Sequence, residues 1–322
     1  MKKFLKISGI VFAVILLFMF LGYSYLMTKY PKVPPASDMK ITSTPEMIER
    51  GKYLANGFAS CIDCHSKRDF SKFAGPVIHG SEGAGGQDFG EEAGFIPAKN
   101  ITPDKETGIG SWTDGEIFRA ITMGVDKNGE PLAPMMPYMY FRKMDENDVL
   151  SIIAYIKTLT PVKNKIADHK FNFPVNLIFR TLPAEPQFKK LPSADNKLAL
   201  GEYYAGACMA CHSPMEKGEF IKEKFLGGGV EFPAPKGGIV RSANITPDKE
   251  TGIGNWTKED FIKKFKSFSN PENQNISVKD GEFNTIMPWT FFAQNTEEDL
   301  GAVFDYLMSQ KPVSNKVDKF TP

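Results

Sequence analysis

The tract NITPDKETGIGSWT at 100–113 returns as NITPDKETGIGNWT at 244–257, with one difference in fourteen positions. So close a repeat makes the chain a duplicated unit, and the rest of the fold must be read in those terms. The features around it recur in the same order. A helix-like run with Gly-x-Tyr (Gly51 and Tyr53; Gly201 and Tyr203) leads into Cys-x-x-Cys-His. A glycine-rich loop, the repeated tract, a Met-Pro-aromatic step and a terminal amphipathic run follow. Two equivalent domains are therefore expected at 45–160 and 196–322.

Helices can be placed by their caps. Thr113 with Glu116, and Thr257 with Asp260, stand three apart before apolar periodic runs, the spacing at which each side chain can cap the first turn. Thr296 with Asp299 opens the last helix of the second unit, and Asp145 with Asp148 its equivalent in the first. These last runs, DVLSIIAYIKTL and DLGAVFDYLMSQ, are apolar at helical spacing, with Tyr155 and Tyr306 on the apolar side. No alternating strand pattern stands out, so the expected class is all-α. Between the units, 161–195 carries five prolines, yet Phe171, Phe173, Val175, Leu177, Ile178 and Phe179 are too apolar for a solvated linker. This stretch is expected to lie as a strap across one or both domains.

The N-terminus has its own logic. Lys2, Lys3 and Lys6 precede an uncharged run of 22 residues, Ile7 to Thr28. That approaches the roughly 20 needed to cross a bilayer and exceeds the roughly 7–15 of a signal peptide's apolar core. Residues 1–30 are expected to be an uncleaved anchor, a cleaved signal being the alternative, and 31–44, with Pro31, Pro34 and Pro35, a tether. Lysines ahead of the span keep that end cytoplasmic and place the domains on the periplasmic or outer side.

Cys61-Ile-Asp-Cys64-His65 and Cys208-Met-Ala-Cys211-His212 use all four cysteines of the chain. Two thiols one helical turn apart can each form a thioether to one haem vinyl group, with the adjacent histidine under the iron. A disulfide or redox dithiol needs no such histidine. A single zinc shared by both pairs would leave both histidines spare. Two covalent haem c groups are the expectation. For the sixth ligand, the remaining histidines, His79 and His169, have no counterparts in the other repeat. Met136-Pro137-Tyr138 and Met287-Pro288-Trp289 do correspond, 71 and 75 residues after His65 and His212. A thioether is a soft ligand that raises the potential, so Met136 and Met287 are the candidate distal ligands, with Met135 an alternative register for the first. Trp112 and Trp256 could serve a haem propionate or a helix start, and Gly75-Pro76 could offer a carbonyl to His65. Asn100 and Asn244 are expected to bond their own backbone at tight turns, and His79 to be a surface loop residue.

This ordered set of motifs resembles the class I cytochrome c domain, most of all in the multi-haem cytochrome c subunits of membrane-bound alcohol, aldehyde and sugar dehydrogenases. The likeness covers nearly everything after residue 45. It implies that the first and last helices of each unit cross near Gly51 with Tyr155 and near Gly201 with Tyr306. Those subunits commonly carry three haem motifs, and this chain has two. The function expected is electron transfer without substrate chemistry. A quinol-linked complex or periplasmic dehydrogenase would be the donor, and an oxidase or soluble cytochrome the acceptor. A di-haem enzyme, such as a peroxidase or thiosulfate-type dehydrogenase, is the alternative; it needs an open or unusual sixth ligand where both units here offer methionine. The net charge of +1 gives no reason to expect nucleic acid.

Overall fold

The computed structural model describes residues 2–90, 93–216 and 219–322. Helices dominate. Helix α1 (Lys2–Lys29) buries none of its residues against the rest of the protein. The first half then forms α2 (Pro45–Ala55), α3 (Cys61–Cys64), α4 (Asp114–Met123), α5 (Tyr138–Phe141) and α6 (Glu146–Ile156). After α7 (Val175–Thr181), the second half forms α8 (Lys197–His212), α9 (Lys258–Lys266), α10 (Pro271–Gln274), α11 (Trp289–Phe292) and α12 (Glu297–Met308). The repeat is visible in the pairs α2/α8, α4/α9, α5/α11 and α6/α12.

The caps form largely as their sequences suggest. Thr113 with Glu116 and Thr257 with Asp260 make full capping boxes on α4 and α9. Thr296 caps α12 by accepting from the Asp299 N–H. Asp145 also caps α6, but by accepting from Asn147 rather than through Asp148, which turns inward to other partners. In each half the first and last helices cross at a glycine. A Cβ on Gly51 would stand 1.8 Å from the Ser151 carbonyl oxygen and 2.8 Å from Tyr155 Cβ; on Gly201, 2.0 Å from the Ala302 oxygen and 2.8 Å from Tyr306 Cβ. Only hydrogen at these two positions allows the backbones so close.

The halves differ at their cysteines. Ten positions separate Gly51 from Cys61 but only seven separate Gly201 from Cys208. Helix α8 therefore runs unbroken through its Cys-x-x-Cys-His, whereas the first half breaks after α2 and restarts past Ser60, which sits in the left-handed region at φ 49°. The extra residues place Phe58 in the junction between halves, stacked 4.5 Å from the Tyr204 ring.

Small antiparallel ladders, not foreshadowed by any alternation, tie down the connecting segments. Strand β1 (Gly94–Phe95) pairs with β2 (Lys170–Phe171), and β3 (Met215–Glu216) with β4 (Glu219–Phe220). Strand β6 (Ile239–Arg241) lies between β5 (Glu231–Pro233) and β7 (Phe320–Thr321). The segment after α6 packs on the first half: Phe179 joins Ile96 and Ala133 in a small apolar cluster, and the Gln187 and Lys189 N–H groups donate to the Arg142 and Met144 carbonyls. The segment after α1 is not free either, since Val33, Met39 and Ile41 lie against the main core and the Ile41 N–H donates to Asp114. That core is one continuous cluster drawing on both halves.

Candidate functional site

Each Cys-x-x-Cys-His presents its histidine in the same way. His65 Nδ1–H donates to the Lys99 carbonyl at 2.7 Å, and His212 Nδ1–H to the Ala243 carbonyl at 2.7 Å. Burial holds both imidazoles below the ordinary histidine pKa, so both are neutral, and the Nδ1–H tautomer leaves the Nε2 lone pair for a metal. The carbonyl partner expected at Gly75-Pro76 is a correction: Gly75 O accepts from Arg68 Nε instead. The true acceptors sit one residue before Asn100 and Asn244, immediately ahead of the repeated tract.

That tract explains itself here. Asn100 Oδ1 accepts from the Thr102 N–H, as an asparagine at a turn should, while its Nδ2 donates to the Val162 and Asn164 carbonyls. Asn244 does the same with Thr246, Val313 and Asn315. Returning bonds run from the Val162 and Val313 N–H groups to Thr102 and Thr246, and from the Asn164 and Asn315 N–H groups to Thr107 and Thr251. The tract thus clamps the chain leaving each last helix and fixes the carbonyl that orients each histidine. The clamped pieces, PVKNK at 161–165 and PVSNK at 312–316, repeat in the sequence too, a second and shorter sign of the duplication.

All four cysteines are free thiols. Burial pushes Cys61 and Cys208 up to about 12 and raises Cys64 and Cys211 as well, so none is the activated thiolate a redox dithiol uses. Among the described residues no group of three or more His, Cys, Asp or Glu stands where it could hold a metal ion. A pair of neutral thiols beside a neutral imidazole, its outer nitrogen already engaged, is a donor set that fits a thioether-bound haem. Between Cys61 and Cys64, Asp63 is buried against Arg68 at 3.2 Å, and burial still lifts its carboxyl to about 6.

The Met-Pro steps adopt one turn in both halves. The Tyr138 N–H donates to the Met136 carbonyl at 2.7 Å and the Trp289 N–H to that of Met287 at 2.8 Å, with Pro137 and Pro288 both at φ −79°. Met136 and Met287 pack against the core, while the neighbouring Met135 is 50% exposed. Trp112 lies against the core and Trp256 is 38% exposed. His79 is fully exposed beside Glu82.

The junction between halves leaves no motif in the sequence. Tyr203 Oη–H donates to Asp148 at 2.6 Å and accepts from the Asp145 N–H. Tyr53 Oη–H donates to Asp299 and accepts from the Thr296 N–H. Each Gly-x-Tyr tyrosine therefore caps the other half's last helix, a reciprocal arrangement with pseudo-twofold character. Arg50 reinforces one side, paired with both Asp148 oxygens and donating to Tyr204 Oη.

No protein-family model matches the chain. It is 29% identical over 304 residues to the cytochrome c subunit of a quinone alcohol dehydrogenase of Gluconacetobacter polyoxogenes, covering 87% of this chain and 60% of that subunit. It is 31% identical over 280 residues to the gluconate 2-dehydrogenase cytochrome c subunit of Pantoea cypripedii (82% and 59%). It is 27% identical over 257 residues to a diheme cytochrome c-type protein of Cereibacter sphaeroides (77% and 80%). The chain spans about 60% of the length of the first two relatives.

Proposed function

Starting from a chain homologous to cytochrome c subunits of alcohol, gluconate and fructose dehydrogenases and to a diheme cytochrome, we propose that it is a membrane-tethered di-haem cytochrome c relaying electrons on the outer face of the membrane. Two tandem cytochrome c-like units, 45–160 and 196–322, would carry one haem c each. The observation that carries this reading is the matched pair of neutral imidazoles, each fixed through Nδ1 by the carbonyl immediately ahead of the repeated tract and each next to two free thiols.

When bound, each haem supplies an iron that takes up and releases one electron. The chain does the rest. Cys61 and Cys64, and Cys208 and Cys211, would hold the macrocycles through thioethers, with His65 and His212 as proximal ligands. Met136 and Met287, on their shared turn, would fill the sixth positions and keep water away. A site closed on both sides favours relay over substrate chemistry. The single core cluster that draws on both halves supports passage between haems within the chain. Lys2, Lys3 and Lys6 would stay cytoplasmic, α1 would span the bilayer, and the haem units would lie outside. A quinol-linked complex or a dehydrogenase is the proposed donor, and an oxidase or soluble cytochrome the acceptor.

A redox-titrated absorption spectrum of holoprotein from a host that matures c-type cytochromes tests this. It should count two covalent haems per chain and show the methionine-to-iron charge-transfer band, which Met287→Ala should diminish without lowering the haem count. Protein without covalent haem would overturn the reading. Rapid carbon monoxide binding at one reduced haem would instead favour a di-haem enzyme.

A further inference from the structure

The most exposed large apolar side chain among the described residues is not on the membrane helix. Phe173 is 78% exposed, more than Phe4 (75%) on α1 itself, and Ile178 is 53% exposed. Both belong to α7 and its approach, and the position of α7 gives their exposure a meaning. The last turns of α1 carry Tyr23, Tyr25 and Lys29, the residue types that settle at a membrane–water interface. Helix α7 touches α1 without burying any of its residues, and Arg180 at the end of α7 donates from Nε to the carbonyl of Tyr30, just past the span. Residues 33–41 then bind to the first half, so no slack chain separates anchor from body. The inner side of α7 is spent on the protein, where Phe179 is buried with Val175 and Leu182 packed beside it. Phe173 and Ile178 remain outside. Phe95, also exposed, belongs to the same corner, for β1 pairs with β2 just ahead of Phe173.

We propose that Phe173, Ile178 and Phe95 sit in the interfacial layer of the bilayer that α1 spans, a second membrane contact that fixes how the haem units face the membrane. The proposal rests on α1 being a retained membrane helix. Its occupant is lipid, because among the described residues α1 is the one helix long and apolar enough to cross a bilayer, and α7 meets α1 and is tied by Arg180 to Tyr30 just past its end.

Nitroxide labels on Phe173→Cys, Ile178→Cys and Ile276→Cys test it, using full-length holoprotein in phosphatidylcholine–phosphatidylglycerol nanodiscs. Thioether-bound cysteines will not take the label, and Ile276, 49% exposed in the second half, is the matched control. Collision with bilayer-soluble oxygen should exceed collision with an aqueous nickel chelate several-fold at 173 and 178, with the reverse at 276. All three labels meeting nickel alike, with the chain still held in the nanodisc, would overturn the proposal and leave the anchor standing. A mature chain that begins beyond Lys29 and does not incorporate would overturn both.

Discussion

Asn244 shows how much one side chain can organise. It is buried, donates to Val313 O at 2.7 Å and Thr251 Oγ1 at 3.0 Å, and accepts from both the N–H and the hydroxyl of Thr246. Replacing it strands several buried partners at roughly 1 kcal/mol or more each, so Asn244→Ala should lose about 2–4 kcal/mol in guanidinium unfolding. A loss below about 0.5 kcal/mol, the scale of a surface change, would show that the clamp does not hold. The tract also contains a pH-sensitive turn. Asp104 Oδ1 accepts from the Thr107 hydroxyl and N–H, Asp248 does the same with Thr251, and these bonds hold both carboxyls below the usual aspartate range. A lowered folded-state pKa gives stability that is present above the unfolded value near 4 and is lost as pH falls through the folded value. Asp104→Asn with Asp248→Asn should therefore flatten the acid side of a stability-versus-pH curve and leave its slope above about pH 6 unchanged. Asn100 and Asn244 were visible in the sequence as parts of a repeat. Their partners were not, because hydrogen bonds from Asn100 to Val162 and from Asn244 to Val313 join positions some sixty to seventy residues apart.

At the level of elements, the crossing of α2 with α6 and of α8 with α12 rests on Gly51 and Gly201. Alanine is the better helix former by up to about 1 kcal/mol, so a solvent-facing Gly→Ala would stabilise. Here the new methyl would meet a carbonyl oxygen at 1.8 or 2.0 Å, and the helices would have to separate. Gly51→Ala and Gly201→Ala should each cost a net of roughly 1–3 kcal/mol, because overpacking outweighs propensity. Thermal unfolding checks this, and a raised midpoint for either variant would mean that the crossing can relax. The helices themselves were legible from caps and 3.6-residue periodicity, both of which are local. The ladders were not, since strands of two or three residues are too short to show alternation. The pairing of β1 with β2 is decided by where the strap docks rather than by the propensity of GF or KF.

For the whole molecule, the question is whether duplication produced two bodies or one. The sequence shows equivalence and is silent on contact, because Tyr53 and Tyr203 look like ordinary helix tyrosines until each is seen to bond the other half's last helix. The two sides of that junction are not equal. Asp148 is buried and accepts from Tyr203 and twice from Arg50, whereas Asp299 is half-buried. A hydrogen bond to a buried carboxylate is worth about 1.5–3 kcal/mol and one near solvent about 1 or less, so Tyr203→Phe should destabilise more than Tyr53→Phe. The consequence reaches further than the two mutants. Tyr203 belongs to the second half, but loss of its hydroxyl removes partners of the Asp145 N–H and the Asp148 carboxylate at the start of α6 in the first, and one core cluster runs through both. The halves should therefore unfold together, and Tyr203→Phe should lower the global-unfolding free energy by the same amount at α6 amides as at α12 amides in native-state hydrogen exchange. Independent halves would respond unequally, with α12 protected as before, and the duplicated unit would then be two domains in contact rather than one cooperative fold.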